Sequence, residues 1–296
     1  MRNTSNMNNI ISTAIQGVIQ GLTEFLPVSS SGHLSLAQHF MRTETESNLL
    51  LTVILHMGTL LAVFIAFRKE ILELVIELFR TVRDIARGKF SWSKMNGPRR
   101  MLFMAVISTA LLVPVIPFKR FFEAPGLDND IIFEGVAFLV TSALLFLSDV
   151  AVSGAKTNAD MKVKDAVTVG IFQIFALFPG ISRSGATISG GIFCGISRKT
   201  AVTYSFILGI PAILGGGLFE IKDAVQSGVS VDIPSCVIGF AIAAAVGVFA
   251  IRLVQWLIKK EKFKVFGIYT MILGLSCIIL GIFEHAGVVL QFKPMF

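Results

Sequence analysis

Charge is what this 296-residue chain lacks most. Only 15% of its residues are Asp, Glu, Lys or Arg while 54% are hydrophobic, against roughly 25% charged in an ordinary soluble domain. So apolar a chain cannot furnish an aqueous surface, which leaves the bilayer as its solvent. There is no stretch for a large soluble domain. Cysteine is also scarce: Cys194, Cys236 and Cys277 all sit in apolar runs without ligand spacing, so they read as small buried hydrophobes. The first nine residues carry one charge, Arg2, and no basic segment runs into a short apolar core, so a removable signal peptide is not expected. Gly215, Gly216 and Gly217 are not followed by Lys-Ser/Thr. That argues against a phosphate loop and for close helix packing.

The formal net charge is +7. In a soluble protein that would suggest nucleic acid. Here the cations cluster in short loops, which is the pattern of membrane orientation, and no nucleic-acid partner is expected.

Six stretches predict spanning helices, at 49–67, 101–118, 131–149, 200–219, 233–251 and 265–283, each near the ~20 residues that cross ~30 Å of hydrocarbon. Glu134 falls near the end of its stretch, within reach of the interface. Two further apolar stretches are interrupted. Residues 10–40 contain Pro27, Ser29, Ser30, Ser31 and Gly32, and residues 166–197 contain Pro179, Gly180, Ser182, Arg183, Ser184 and Gly185. Pro and Gly break a helix there, and irregular backbone at membrane depth must be buried in protein or line a cavity. Both stretches therefore predict re-entrant hairpins.

The hairpins match each other at an offset of 153: Gly17 with Gly170, Gln20 with Gln173, Ser29 with Ser182, Ser31 with Ser184, Gly32 with Gly185. Three spans follow each hairpin. The expected fold is thus all-α, six transmembrane helices plus two hairpins in one membrane domain (1–296). The first repeat is 10–150 and the inverted second is 165–285, because an odd number of crossings turns the second copy over. Eighteen Lys/Arg fall on one side of this topology and six on the other. The richer side is cytoplasmic by the positive-inside rule, which leaves both termini outside.

The first hairpin brings Gln20, Glu24, Ser29, Ser30, Ser31 and His33 within a few turns of chain. Gln20 and Glu24 share a helical face. Ionisable groups at this depth are costly and usually functional, so a nucleophile, a base and phosphate or metal ligands are the reading preferred over polar glue. In the second hairpin Arg183 is the only charge between Asp165 and Arg198. Its guanidinium needs an anion, either a phosphate held two-pronged or the Glu24 carboxylate. Ser182, Ser184 and Thr187 surround it, and a helix starting near Thr187 would turn its positive end to the same anion. His56, alone in an apolar span, reads as a hydrogen-bonded core histidine. His39, His285, Asp149 and Arg252 lie at span ends, where exposure or capping is expected.

Across Glu24-Phe-Leu-Pro-Val-Ser-Ser-Ser-Gly-His33 and Pro179-Gly-Ile-Ser-Arg-Ser-Gly-Ala-Thr187 the chain resembles the undecaprenyl-diphosphate phosphatase family of the bacitracin-resistance type. The resemblance implies a multi-pass enzyme of the bacterial plasma membrane. It would convert undecaprenyl diphosphate to the monophosphate and so recycle the carrier lipid of peptidoglycan synthesis. It further implies an active site open to the outer face and dependence on a divalent cation, Mg²⁺ or Ca²⁺, seated on Glu24 and phosphate oxygens. By motif, Gln20 and Glu24 hold the family's Glu/Gln-x-x-x-Glu pair, Ser30 the proposed nucleophile, His33 the motif histidine and Arg183 the phosphate-binding arginine. Gln20 replaces a Glu of many members, so Glu24 acts without a second carboxylate. Either Ser30 or His33 could attack. A flippase or transporter of a prenyl phosphate or small anion is the alternative function.

Overall fold

A computed structural model describes residues 2–41, 45–124, 130–151, 154–226, 232–258 and 263–287. Among them the chain is all helical apart from one isolated bridge between Lys156 and Ile196. The helices are α1 (Arg2–Thr23), α2 (Ser30–Met41), α3 (Thr45–Ala66), α4 (Arg68–Ala86), α5 (Gly97–Ala110), α6 (Lys119–Glu123), α7 (Ile132–Val150), α8 (Val163–Phe175), α9 (Arg183–Phe193), α10 (Arg198–Gln226), α11 (Ile233–Ile258) and α12 (Lys264–His285). Of these, α7, α10, α11 and α12, together with Gly97–Phe118, which continues α5 as a 3₁₀ turn, are long and apolar enough to cross a membrane. Residues Leu50–Ala66 and Arg68–Ala86 count as a sixth crossing if taken together.

The side-chain distribution suits an apolar solvent. Val106, Leu147, Val237, Ile272 and Ile279 are exposed on the long helices, whereas Thr13, Gln20, Glu24, Ser182, Ser184 and Ser205 are buried. Glycine sets the closest helix approaches. A Cβ on Gly58 of α3 would lie 2.5 Å from the backbone oxygen of Phe240 in α11, and one on Gly135 of α7 would lie 2.9 Å from that of Gly274 in α12. Only a hydrogen fits there, so these pairs touch backbone to backbone.

The main helix pairings are α1 with α11, α3 with α10 and α11, α5 with α8, α7 with α9 and α12, and α9 with α8 and α10. Arg198 at the start of α10 donates to Asp149 at the end of α7 at 2.9 Å.

Both interrupted stretches break where Pro and Gly fall. Pro27 follows the last turn of α1, and Ser29 takes a left-handed φ of 73° before α2 starts. Gly180, at φ 88°, turns the chain between α8 and α9. Two expectations are corrected. The charged segment 68–100, which links the first two predicted spans and is not among the predicted helices, contains α4, which leaves α3 at an angle of 84°. Leu72, Val75, Phe79 and Val82 face out from α4 while Glu77 and Thr81 are buried. And Glu134, expected at an interface, is 1% exposed and accepts from Ser35 at 2.7 Å.

Candidate functional site

The two helix breaks meet. Ser31 Oγ accepts from the Gly180 amide at 3.3 Å, and Ser184 Oγ donates to the Leu26 carbonyl at 3.2 Å, so each break bonds to the other. Within each break the hydrogen bonds repeat. Ser29 Oγ accepts from the Gly32 amide and neighbours Ser31 Oγ, each at 3.3 Å. Ser182 Oγ accepts from the Gly185 amide at 3.0 Å and neighbours Ser184 Oγ at 3.2 Å. The Ser-x-Ser-Gly spacing thus caps two helices in the same way.

Glu24 is the hub. Its Oε1 accepts from Arg183 Nη2 across the breaks. Its Oε2 accepts from Ser30 Oγ at 2.6 Å and from Gln20 Nε2 at 3.0 Å, with His56 Nε2 at 3.7 Å. Arg183 therefore has its buried carboxylate partner, as expected of a guanidinium at that depth. Its other terminal nitrogen, Nη1, is buried without a partner among the described residues. That nitrogen fits against α10 because position 209 is glycine: a Cβ there would lie 2.5 Å from it.

A cavity of about 300 Å³ opens over this group, lined by Glu24, Ser30, His56 and Arg183, by the serines 29, 31, 182 and 184, and by Gly216 and Gly217 of α10. The N-terminal ends of α2 (Ser30) and α9 (Arg183) both border it. Helix N-termini carry partial positive charge and spare N–H groups. With the Arg183 side chain, which also lines it, they make an electropositive cavity in which a hydroxyl is hydrogen-bonded to a carboxylate.

Not every expected residue lines it. His33 has both ring nitrogens engaged elsewhere. Nδ1 lies 2.7 Å from the Ser29 carbonyl and Nε2 2.7 Å from the Tyr269 hydroxyl, and the ring stacks on Tyr269 at 5.6 Å. Thr187 turns back to the Arg183 carbonyl and to Ser205. Gln20 sits behind Glu24, its Oε1 buried without a partner among the described residues. His56, read as a core residue, lines the cavity instead, and so do Gly216 and Gly217. The sequence signal for His56 is weak; the only clue is that an imidazole is out of place in so apolar a helix.

The residues present do not fit a resident divalent cation. No group of three His, Cys, Asp or Glu side chains occurs among the described residues. Both oxygens of Glu24 are already taken, one by a guanidinium. A hard cation wants six or more oxygens, and a cation here would have to bring most of them with it.

The family model described as bacitracin resistance protein BacA matches residues 13–276. Among curated relatives, an undecaprenyl-diphosphatase of Alkaliphilus metalliredigens is 39% identical over 261 residues, 87% of this chain and 94% of its own length. One of Methanosphaera stadtmanae is 36% identical over 278 residues, 93% of this chain and 99% of its own. An undecaprenyl-diphosphatase 3 of Bacillus cereus is 37% identical over 273 residues, 92% and 97%.

Proposed function

The chain belongs to the bacitracin resistance protein BacA family, and on that premise we propose that it is an undecaprenyl-diphosphatase, releasing inorganic phosphate and undecaprenyl phosphate for reuse as the carrier of cell-envelope precursors. One observation carries the chemistry: the Ser30 hydroxyl donates to Glu24 at 2.6 Å in a cavity that Arg183 also lines. The prenyl tail stays among the apolar helices and the diphosphate enters the cavity. Arg183 and the starts of α2 and α9 bind its oxygens and stabilise charge on the phosphoryl group in flight. Ser30 Oγ attacks the terminal phosphorus while Glu24 takes its proton. Undecaprenyl phosphate leaves, and water then cleaves the phosphoserine. Ser30 is favoured over His33 as nucleophile because both nitrogens of His33 are engaged outside the cavity. A divalent cation brought in with the substrate would supply charge neutralisation on the diphosphate, with Glu24 the one carboxylate of the cavity near enough to help hold it.

The architecture is read as two inverted repeats, each a re-entrant hairpin plus three spans. The duplicated serine hydrogen bonds support that reading. So does the exchange of partners, in which α1 packs on α11 and α8 on α5, each hairpin on the middle span of the other repeat. With loop 68–100 in the cytoplasm, α3 starts and α10 ends on the outer side. The cavity is lined by His56 at the middle of α3 and by Gly216 and Gly217 in the last third of α10, and the position of the two glycines supports a mouth on the outer face.

Phosphate release from undecaprenyl diphosphate in detergent micelles tests the function, since transport needs two compartments and hydrolysis does not. Release by the wild type, lost in Ser30→Ala and in Glu24→Ala and dependent on divalent cation under chelation, is expected. A well-folded wild type that releases no phosphate with Mg²⁺ or Ca²⁺ present would overturn the assignment.

A further inference from the structure

The scheme above leaves one side chain of the cavity unused. His56 Nδ1 lies 2.8 Å from the carbonyl oxygen of Thr52, one turn back on α3. A carbonyl oxygen can only accept, so Nδ1 carries the hydrogen, and in the neutral ring Nε2 offers its lone pair to the cavity. That nitrogen stands 3.7 Å from Glu24 Oε2, too far for a good direct hydrogen bond and close enough for both to contact one molecule between them. Around the cavity the charged or titratable side chains are Glu24, Arg183 and His56. Arg183 does not give up its proton, and the amide of Gln20 cannot take one. Glu24 is already occupied with the proton of Ser30 in the first half of the reaction. A second proton must move when water attacks the phosphoserine, and His56 is the group left to accept it.

We propose that His56 is the general base of phosphoserine hydrolysis, a catalytic residue for the second half-reaction. The proposal rests on Ser30 being the nucleophile. The water oxygen bonds to phosphorus while its proton passes to His56 Nε2. The P–Oγ bond breaks, and its electron pair takes back the proton held by Glu24, which regenerates the Ser30 hydroxyl. Phosphate departs and His56 gives its proton to solvent. The placement suits the task. His56 is carried by a long helix locked to α11 at Gly58 and not by the turn bearing the nucleophile, so its nitrogen can stay put while Ser30 is phosphorylated.

The test is a rapid-quench experiment in micelles with undecaprenyl diphosphate labelled in its terminal phosphate. His56→Asn keeps a donor for the Thr52 carbonyl and removes the base; His56→Gln, which puts its amide near the position of Nε2, is run beside it. Thermal unfolding of both is compared with the wild type so that a folded variant is the one assayed. The expected result is a burst of undecaprenyl phosphate near one equivalent per protein and label retained on Ser30. Steady-state turnover should fall at least ~100-fold, the range of a lost general base, with partial recovery on adding imidazole. Near-normal turnover, or slow turnover with no label retained, would overturn the role of His56. Label retained on a residue other than Ser30 would sink the nucleophile assignment and this proposal with it.

Discussion

At the scale of single residues, the site turns on how few partners each charge has. Arg183 gives Nη2 to Glu24 and lines the cavity, while Nη1 is buried without a partner among the described residues. A lysine ammonium lacks the planar fork that lets a guanidinium hold a carboxylate and bind phosphate two-pronged. Arg183→Lys is therefore expected to lower kcat/KM about 100-fold, roughly 2.7 kcal/mol of transition-state stabilisation, with the helical circular-dichroism signal unchanged. Activity within a few-fold of wild type would show that Arg183 does not hold phosphate. The sequence made Glu24, Ser30 and Arg183 legible because ionisable groups in an apolar break have few uses besides chemistry. His33 was legible as a motif residue, but its position was not. It accepts from Tyr269, 236 residues away, and holds the carbonyl of Ser29, whose left-handed φ of 73° costs on the order of 1 kcal/mol or more in a residue other than glycine. His56 was misread because a lone histidine in an apolar helix is ordinarily a satisfied core residue. Only the approach of α3 to the end of α1 puts it beside Glu24.

Among the elements, the helix breaks and five of the six spans could be read from Pro, Gly and apolar run length and fall in the structure where those signals put them, while the stretch at 49–67 reaches spanning length only together with α4. What could not be read is which helices touch, since that depends on where two glycines or a glycine and a carbonyl meet. Gly58→Ala would drive a methyl to within 2.5 Å of the Phe240 backbone oxygen, and backbone cannot step aside as a side chain can. Overpacking of this kind costs about 1–3 kcal/mol, more than the ~1 kcal/mol that alanine gains over glycine in a helix. The midpoint of thermal unfolding in detergent should fall for Gly58→Ala and stay level or rise for Gly215→Ala, whose new Cβ meets nothing within 4 Å. A lower midpoint for Gly215→Ala alone would contradict this packing. Helix α4 escaped the sequence reading because its charges masked an apolar stripe at helical spacing. It is attached at its polar face by Glu77, which accepts from Arg80 at 2.7 Å, Asn96 at 3.0 Å and Arg99 at 2.8 Å. Burial, the largest influence, pushes the Glu77 carboxyl up. The hydrogen bonds from Asn96, Arg80 and Arg99 together outweigh it and hold the group below the usual carboxylate range. A depressed carboxyl contributes stability above its unfolded pKa, and that stability is lost as pH falls through the folded value. The attachment of α4 should therefore persist at neutral pH and weaken only in acid, below the usual carboxylate range. Amide exchange along 68–86 reports it, and Glu77→Gln should show faster exchange already at neutral pH. Equal protection in the variant and the wild type would show that the carboxylate is not what ties α4 down.

For the whole molecule, the decisive quantity is the distribution of charge across the bilayer. In the proposed topology eighteen Lys/Arg lie on one side against six on the other, a large bias by a rule that counts cations in loops near span ends. A single crossing, Gly97–Phe118, separates Ser93, exposed beside the cytoplasmic α4 in this reading, from Arg120, exposed in α6. Their sides must then differ whatever the number of the other spans. In a chain with Cys194, Cys236 and Cys277 replaced by alanine, Arg120→Cys should react with a membrane-impermeant maleimide in intact spheroplasts. Ser93→Cys should react only once the membrane is opened. The reverse pattern would turn the molecule over, and the cavity, bordered by the last third of α10, would then face the cytoplasm. The enzyme could not in that case meet a diphosphate lipid on the outer leaflet. Labelling of both sites in intact spheroplasts would mean that residues 97–118 do not cross, and the proposed two-repeat architecture would lose one of the six spans it requires. Because the chemistry at Ser30, Glu24 and Arg183 would be untouched by either outcome, this measurement tests where the reaction is offered to the cell independently of whether it occurs.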